Sequence, residues 1–560
     1  MHLPIVFAVT LAVCFASAPM PHIVVITADD FGYANVGYHR TDDPTNEVQT
    51  PRIDALARSG VIVDRFYTYM YCSPSRSAFH SGRNPMHVNV WNDNLFVHNS
   101  SDSQYGFGGI PTSMTGLAEK LTGVGYAAHH IAKWHAGIGT HTHTPVGRGF
   151  NSSYGYLGAV NDYWDMSAWD QCPGHDVTQD LWYATRGVNS TDGPAFSALN
   201  NRTCSAAYEN SSGCVHEEEL FAAHVLNVIA AHDPSQPLFL NYAPHLVHEP
   251  LEAPKRYIEK FAFVPWPERQ AYAAMTNMLD DIIGSIEDAL KARGFWDNLL
   301  LIFFSDNGGP IYKGGGANNF PLRSGKVSNW EGGVRTNSFI SGGFVPPGQR
   351  GSSLASVVAV EDWYATICGL AGVDPFDARA AAAGLPPIDS IDQWPVLSGM
   401  NATPPRPYAV LGVAITPGKD DKEFHYDIEA GRIFVAGIVT QQYKLLIGPQ
   451  YQNVITGPLY PNRTTTYPDS LFDCGGLPLP EGGPGNGLGG CLYDLFADPS
   501  ESKNIASLYP DIVRVLNETI LRESARLIEY RHGPVDPAAC AAAWNSTRKG
   551  VIGPWVTDSV

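Results

Sequence analysis

The apolar positions of the chain fall into two kinds of run. One is short and mainly apolar, β-branched in its first example. The other returns every three to four positions. The first kind begins with HIVVITA, His22 to Ala28, and recurs as VIVDRFY, YAAHHIA, PLFLNYAP and NLLLIFFS. Mainly apolar runs of this length predict strands covered on both faces. Between them lie TPRIDALARSG, GLAEKLTGVG, EEELFAAHVLNVIAAH and RQAYAAMTNMLDDIIGSIEDALKARG, which read as helices; Gly60 ends the first of them. Strands alternating with helices predict an α/β fold on a large, mostly parallel mixed sheet.

The rhythm changes near Met400. YAVLGVAI, RIFVAGIVT and YKLLIG are separated by Pro- and Gly-rich linkers and read as a short antiparallel sheet. A helix over Leu508 to Tyr530 follows. This predicts a larger α/β domain over residues 19–400 and a smaller α+β domain over 401–560. DARAAAAGLPP reads as a surface insertion, and Cys474 and Cys491 flank a Gly/Pro-rich loop that a bridge between them would clip.

Residues 1–18 read as a signal peptide: an apolar run from Leu3 to Ala16 closes on Ala16-Ser17-Ala18. The run is short for a membrane span, and no later run is long and apolar enough for one. Sequons begin at Asn99, Asn151, Asn189, Asn201, Asn210, Asn401, Asn462, Asn517 and Asn545. With the signal peptide they point to the secretory route, extracellular or lysosomal. Of nine cysteines, Cys14 leaves with the signal, and the other eight can pair in an oxidising compartment without having to. A net charge of −19 disfavours a nucleic-acid partner.

The candidate chemistry lies where strands end. Ligands of parallel α/β sheets sit at the carboxyl ends of strands. Asp29 and Asp30 follow the first strand, and Asp306 and Asn307 follow NLLLIFFS. One such cluster alone is a solvated turn or a helix cap; two at equivalent ends suit a hard cation. Lys133 and His135 follow YAAHHIA, His248 follows PLFLNYA, and Lys326 lies in a Gly-rich loop. Fixed cations of this kind hold a multiply charged anion. A zinc cluster from His129, His130, His135, His141 and His143 is the competing reading. It lacks a regular ligand spacing, and His129 and His130 face opposite ways on a strand. Cys72, in MYCSPSRSAFHSGR, is half of a disulfide, a nucleophile, or a precursor of something else.

CSPSR with SGR, ADD, AKWHAG, VHEP, SDNGG and PLRSGK with WEGGVR occur here in the order found in type I sulfatases. Over about His22 to Arg335 the chain most resembles the arylsulfatase B, or N-acetylgalactosamine-4-sulfatase, group, with a weaker echo at CLYDLFADPSESKNIA. The resemblance implies an alkaline-phosphatase-like α/β/α sandwich with a smaller C-terminal domain. It implies that Cys72 is oxidised to formylglycine by a separate formylglycine-generating enzyme that reads Pro74 and Arg76. It implies one Ca²⁺ held by Asp29, Asp30, Asp306, Asn307 and the modified Cys72. Arg76, Lys133, His135, His248 and Lys326 then match catalytic positions, with Lys133, His248 and Lys326 on the sulfate. Either His248 or Lys326 is the acid for the leaving alcohol, and His135 accepts a later proton. Ser81, Ala132 and Ala136 depart from the family pattern without removing a charged group. The implied activity is hydrolysis of aryl sulfates and of sulfated sugars. A phosphatase or phosphonate hydrolase of the same superfold and a non-catalytic glycan-binding protein are the alternatives.

Overall fold

The computed structural model describes residues 20–557, apart from short stretches within 169–212, 418–431 and 463–488 and positions 41, 42, 91, 93, 452, 453, 529 and 530. The signal-peptide segment and the sequons at Asn189, Asn201 and Asn210 therefore lie outside the described residues.

Ten strands form the main sheet. In chain order they are β1 (His22–Ala28), β2 (Val61–Val63), β3 (Ala127–Ala132), β4 (Ser152–Gly155), β5 (Trp182–Thr185), β6 (Asp192–Pro194), β7 (Leu238–Ala243), β8 (Leu299–Ser305), β9 (Ser338–Ser341) and β10 (Ser352–Leu354). Their spatial order is β10-β2-β9-β8-β1-β7-β3-β4-β5-β6. The central five, β8-β1-β7-β3-β4, run parallel. On either side β9 and β5 turn antiparallel, which makes the sheet mixed as expected.

The mainly apolar runs have a direct structural cause. Alternate side chains of each central strand enter opposite cores. Ile23, Val25, Leu300, Ile302 and Phe304 pack with Ala78 and Phe79 of helix α2 (Cys72–Ser81), Leu117 and Leu121 of α3 (Leu117–Thr122), and Trp363 of the helix Asp362–Leu370. Val24, Ile26, Leu301 and Phe303 pack with Ile53 and Leu56 of α1 (Pro51–Ser59), Phe221 and Val225 of α4 (Glu217–Ala231), and Met275 and Leu279 of α6 (Pro267–Ala292), with α5 (Lys255–Lys260) alongside. Each such side chain, fully buried, contributes about 1.5–3 kcal/mol, so both helical layers are anchored through the same strands.

VIVDRFY is not one strand. Val61–Val63 belongs to the main sheet, while Phe66–Tyr67 pairs with Arg335–Thr336 and Val358–Ala359 in a separate small sheet. The break falls at Asp64, whose carboxylate takes a hydrogen bond from Arg335 (2.8 Å) instead of facing a core. Past residue 400, strands β11 (Tyr408–Pro417), β12 (Arg432–Thr440), β13 (Tyr443–Ile447) and β14 (Cys491–Asp494) form the antiparallel sheet, order β11-β12-β13-β14. The helix that follows covers Pro510–Ser524, shorter than expected at both ends, with Pro510 in the first turn.

The segment 401–560 divides by packing. Ala539, Ala543, Val551 and Ile552 join the core of the main sheet, and Cys540 is bridged to Cys172 across 368 residues. Cys474 and Cys491 are bridged, as are Cys204 and Cys214, while Cys72 and Cys368 are the free cysteines among the described residues. The Ala-rich stretch is pinned rather than loose. Asp377 caps its short helix through Ala380 N (3.0 Å) and, buried, receives Arg83 (3.0 Å) and Thr115.

Candidate active site

Four neighbouring parallel strands, β8, β1, β7 and β3, deliver the site. Asp306 and Asn307 leave β8, Asp29 and Asp30 leave β1, His248 follows the turn after β7, and Lys133 and His135 leave β3. Backbone bonds continue the ladders past the strand ends: Asp306 N donates to Ala28 O (3.1 Å) and Lys133 N to Ala243 O (2.9 Å). Helix α2 brings Cys72 and Arg76 from one face. The motifs SDNGG and WEGGVR meet backbone to backbone, and a Cβ on Gly308 would lie 1.7 Å from Gly332 O; only glycine fits this crossing, which steers the loop carrying Lys326 over the strand ends.

All ten expected site residues converge, and all are buried. Cys72 Sγ lies 3.5 Å from Asp29 Oδ1. Arg76 donates Nε (3.0 Å) and Nη2 (2.8 Å) to Asp306 Oδ2, and Nη1 to the carbonyl of Lys133 (3.3 Å). Lys133 Nζ donates to Asp29 Oδ2 at 2.6 Å. Lys326 Nζ donates to Asp30 Oδ2 (2.8 Å) and meets His248 Nε2 (2.9 Å). The other ring nitrogen, His248 Nδ1, faces the carbonyl of Glu249 at 2.7 Å and must donate to it. Nε2 therefore carries the lone pair, and Lys326 is the donor of the pair.

The electrostatics agree with that assignment. Burial, then Lys326 and Lys133, hold His248 well below the ordinary histidine value, so it is neutral. Burial works against the ammonium of Lys326, but Asp30 and the other anions around it carry it well above the ordinary lysine value. Burial, Lys133 and Arg76 likewise keep His135 neutral. Its Nδ1 is buried without a hydrogen-bond partner. Burial raises the Cys72 thiol, so as a plain thiol it is a poor thiolate nucleophile.

The backbone is strained here. Asp30 (φ 57°), Ala132 (77°), His135 (47°), Ser324 (63°) and Val327 (74°) adopt left-handed conformations. Each costs about 1–2 kcal/mol in a residue with a Cβ, and such strain gathers at functional sites.

The cluster offers a cation site. Ligand atoms of Asp29, Asp30, Cys72 and His248 lie within 4.8 Å of one another. His248 has both nitrogens engaged, and a ring nitrogen has no second lone pair; the carboxylate oxygens, although hydrogen-bonded, each keep one, so the available donors are oxygens. Asn307 points Nδ2 at Asp30 Oδ1 (2.7 Å) and leaves Oδ1 buried without a partner. Asp306 Oδ1 adds a carboxylate oxygen against Asp30 N (3.3 Å). Three carboxylates and one orphaned amide oxygen make a set that a hard cation satisfies. The five histidines of the zinc reading do not gather: His129 meets Ser152, His130 meets Asn241, and His141 meets Asp192.

Three supporting groups were not legible. Tyr272 accepts from Gly32 N (3.0 Å) and donates to Asp30 O (2.8 Å), fixing the end of β1. Glu217 and Glu218 are fully buried beside the site. In sequence they look like the acidic first turn that any helix favours.

The sulfatase family model matches residues 21–373. Arylsulfatase J of Mus musculus is 29% identical over 551 residues, covering 97% of this chain and 81% of that protein. N-acetylgalactosamine-6-sulfatase of Homo sapiens is 28% identical over 389 residues, covering 68% and 67%. The crystal structure of Ps i-CgsB in complex with k-i-k-neocarrahexaose superposes with a TM-score of 0.66 at 24% identity, covering 94% of this chain and 97% of that one, a likeness of fold. With the matched segment spanning every strand end of the site, the chain belongs to the sulfatase family, enzymes that hydrolyse sulfate esters.

Proposed function

We propose that this sulfatase acts through a formylglycine made from Cys72 and a Ca²⁺ held by Asp29, Asp30, Asp306 and Asn307. The observation that carries the reading is the placement of Cys72. It is buried at the head of α2, 3.5 Å from Asp29, inside a ring of Arg76, Lys133 and Lys326. A raised thiol pKa makes little sense for a thiolate enzyme and is no obstacle to a residue that is converted. In place, the aldehyde hydrate supplies two geminal hydroxyls and the cation supplies Lewis acidity toward them and the sulfate.

The chain's own residues do the rest. Lys133 and Lys326 place their ammonium groups toward the sulfate and offset charge that develops on its oxygens. Arg76 holds Asp306 and the Lys133 carbonyl, which fixes the floor of the pocket. Lys326 holds the proton that the leaving alcohol receives, and His248, a neutral acceptor locked by Glu249, orients that ammonium. His135 is the neutral base with a free ring nitrogen. The substrate proposed is a sulfated sugar, a reading supported by the relative named N-acetylgalactosamine-6-sulfatase. The formylglycine-generating enzyme is the partner that prepares Cys72. Three bridges among the described cysteines and exposed sequons at Asn401, Asn462 and Asn545 support passage through the secretory pathway to the lysosome or outside the cell. Asn517 is the poorest glycan acceptor, since it is buried with Nδ2 on Gly489 O (3.3 Å).

Mass spectrometry of the Cys72 peptide from active secreted protein is the test. An aldehyde or its hydrate is expected. A free thiol or a disulfide throughout fully active material refutes the reading.

A further inference from the structure

A carboxylate pair that this chemistry does not use lies directly behind the site. Glu217 and Glu218 open α4, and both are fully buried, a rare state for acids that is sustained only by complete hydrogen bonding. Glu218 Oε1 accepts the backbone N–H of His245 (2.5 Å) and of Leu246 (3.2 Å), and Oε2 accepts the Tyr242 hydroxyl (2.9 Å). Glu217 faces His245 Nδ1 at 2.6 Å and accepts from Asn161 at 2.9 Å. From the other side Tyr163 stacks on the His245 ring (4.2 Å) and gives its hydroxyl to the carbonyls of His245 (2.9 Å) and His248 (3.0 Å).

The turn held in this way carries two parts of the reaction centre. Leu246 O accepts from Asp29 N (3.0 Å), and Val247 N donates to Asp29 O (2.8 Å). Two residues on, His248 meets Lys326. Glu218 is thus one hydrogen bond removed from the backbone of both Asp29 and His248, and touches neither side chain.

We propose that Glu218, with Tyr163 opposite it, is a positioning residue of the sulfatase reaction. It sets the 245–248 turn so that His248 faces Lys326 and Asp29 faces Lys133. What the position demands is reach rather than charge, because the contacts are to neutral N–H and O–H groups. Burial raises this carboxyl to about 7, which points the same way. The proposal rests on the site reading above.

The experiment compares Glu218→Gln, Glu218→Asp and Tyr163→Phe with His248→Ala. It reads kcat and KM on 4-nitrophenyl sulfate per folded molecule, well below each variant's Tm. It also reads the Ca²⁺ concentration that restores half of the thermal protection lost on chelation. Gln keeps an acceptor at the same distance and retains activity within about threefold of wild type. Glu218→Asp keeps the carboxyl group but falls short of the turn. Its kcat drops about 100-fold, the scale of a displacement near 1 Å, with KM nearly unchanged and the Ca²⁺ midpoint raised. Tyr163→Phe lowers kcat about tenfold, on the same scale, and keeps the test alive should Asp not fold. An active Asp with an impaired Gln means that charge matters and overturns the proposal. A lowered Tm with wild-type kcat per folded molecule in Asp or in Tyr163→Phe overturns it too, as a structural role. If His248→Ala is inactive while Asp and Phe are normal, the proposal falls alone; if His248→Ala is fully active, the site reading falls with it.

Discussion

Lys326→Met separates two roles that a cation can play in this site. The ammonium lies 2.8 Å from Asp30 Oδ2 and 2.9 Å from His248 Nε2, and all three groups are buried. Removing it leaves a carboxylate oxygen and a ring nitrogen without a donor. Breaking a buried pair from one side costs about 3–5 kcal/mol, and part of that appears as lost stability. A positioned proton donor contributes about 10²–10⁴-fold to rate, or roughly 3–5 kcal/mol of barrier. The total loss therefore does not reveal the role, but its dependence on the leaving group does. A nitrophenolate departs with little need of a proton, whereas a sugar or alkyl oxide needs one. The expected loss in kcat is near 100-fold for 4-nitrophenyl sulfate and approaches 10,000-fold for an alkyl sulfate, the two ends of that range. Lys326→Arg keeps a positive charge but does not release its proton. It is expected to recover part of the aryl rate and none of the alkyl rate. The assay is kcat across an aryl-to-alkyl series at one pH with saturating Ca²⁺. Equal losses along the series would mean that Lys326 only holds the sulfate, and the proton-donor assignment would be wrong.

Three further outcomes are expected. Chelation abolishes turnover of aryl sulfates, and added Ca²⁺ restores it; an enzyme indifferent to a chelator after full exchange has no need of the carboxylate cluster as a cation site. Lys444→Met leaves buried Glu501, 2.9 Å from the ammonium, without a counter-charge, and leaves buried Glu331, also at 2.9 Å, with Arg335 at 3.6 Å. Urea unfolding should show a loss of about 3–5 kcal/mol, and a loss under about 1 kcal/mol would show that the triad is not a staple between the C-terminal sheet and the main unit. Thermal stability should peak between pH 4.5 and 6.5, the ordinary values of these glutamates and histidines. Burial raises Glu218, Glu361 and Glu501 to about 7 and Glu252 to about 8. The unfolded chain releases those protons above 4.5 while the folded one keeps them, so stability falls as pH rises toward 8. Burial lowers His129 to about 4 and His130 and His216 to about 3. The unfolded chain takes up protons below 6.5 that the folded one refuses, so stability also falls toward acid. A Tm that climbs steadily from pH 5 to pH 8 would contradict the balance.

The site was readable from sequence because its parts sit at strand ends, and strand ends are local features. HIVVITA-DD, FFS-DN and HHIA-KWH each announce a covered strand and the polar residues that leave it. That four such ends are adjacent follows from parallel topology, not from any one motif. What stayed hidden depends on contacts distant along the chain. The break in VIVDRFY is set by Arg335, 271 positions from Asp64. The return of the tail to the main core depends on a Cys172–Cys540 bridge whose partners share no local pattern. Glu217 and Glu218 are identical in sequence to solvent-facing acids at a helix start, and their partners come from distant segments: Asn161, Tyr242 of β7 and the turn after it. The proposed assignment of the proton to Lys326 rather than His248 depends on the Glu249 carbonyl, which fixes the histidine tautomer and which no motif announces.

The pairing of charges explains why cation and anion sites coincide. Asp29 is held by Lys133, Asp30 by Lys326 and Asp306 by Arg76. Three buried carboxylates thus occupy three buried cations, and none of these is in surplus for an incoming sulfate. A hard cation held here, as proposed, would share the same carboxylate oxygens and satisfy the orphaned oxygen of Asn307. Each oxygen so taken would weaken a lysine's hold on its carboxylate and leave that ammonium more available to an anion. The arginine differs, because two of its donors converge on one oxygen of Asp306, which ties it to the floor of the pocket, whereas each lysine meets its carboxylate with a single ammonium. On this reading metal and sulfate affinity are coupled, and an unreactive anion such as free sulfate is expected to bind more tightly with Ca²⁺ than after chelation; equal affinity by calorimetry would refute the coupling.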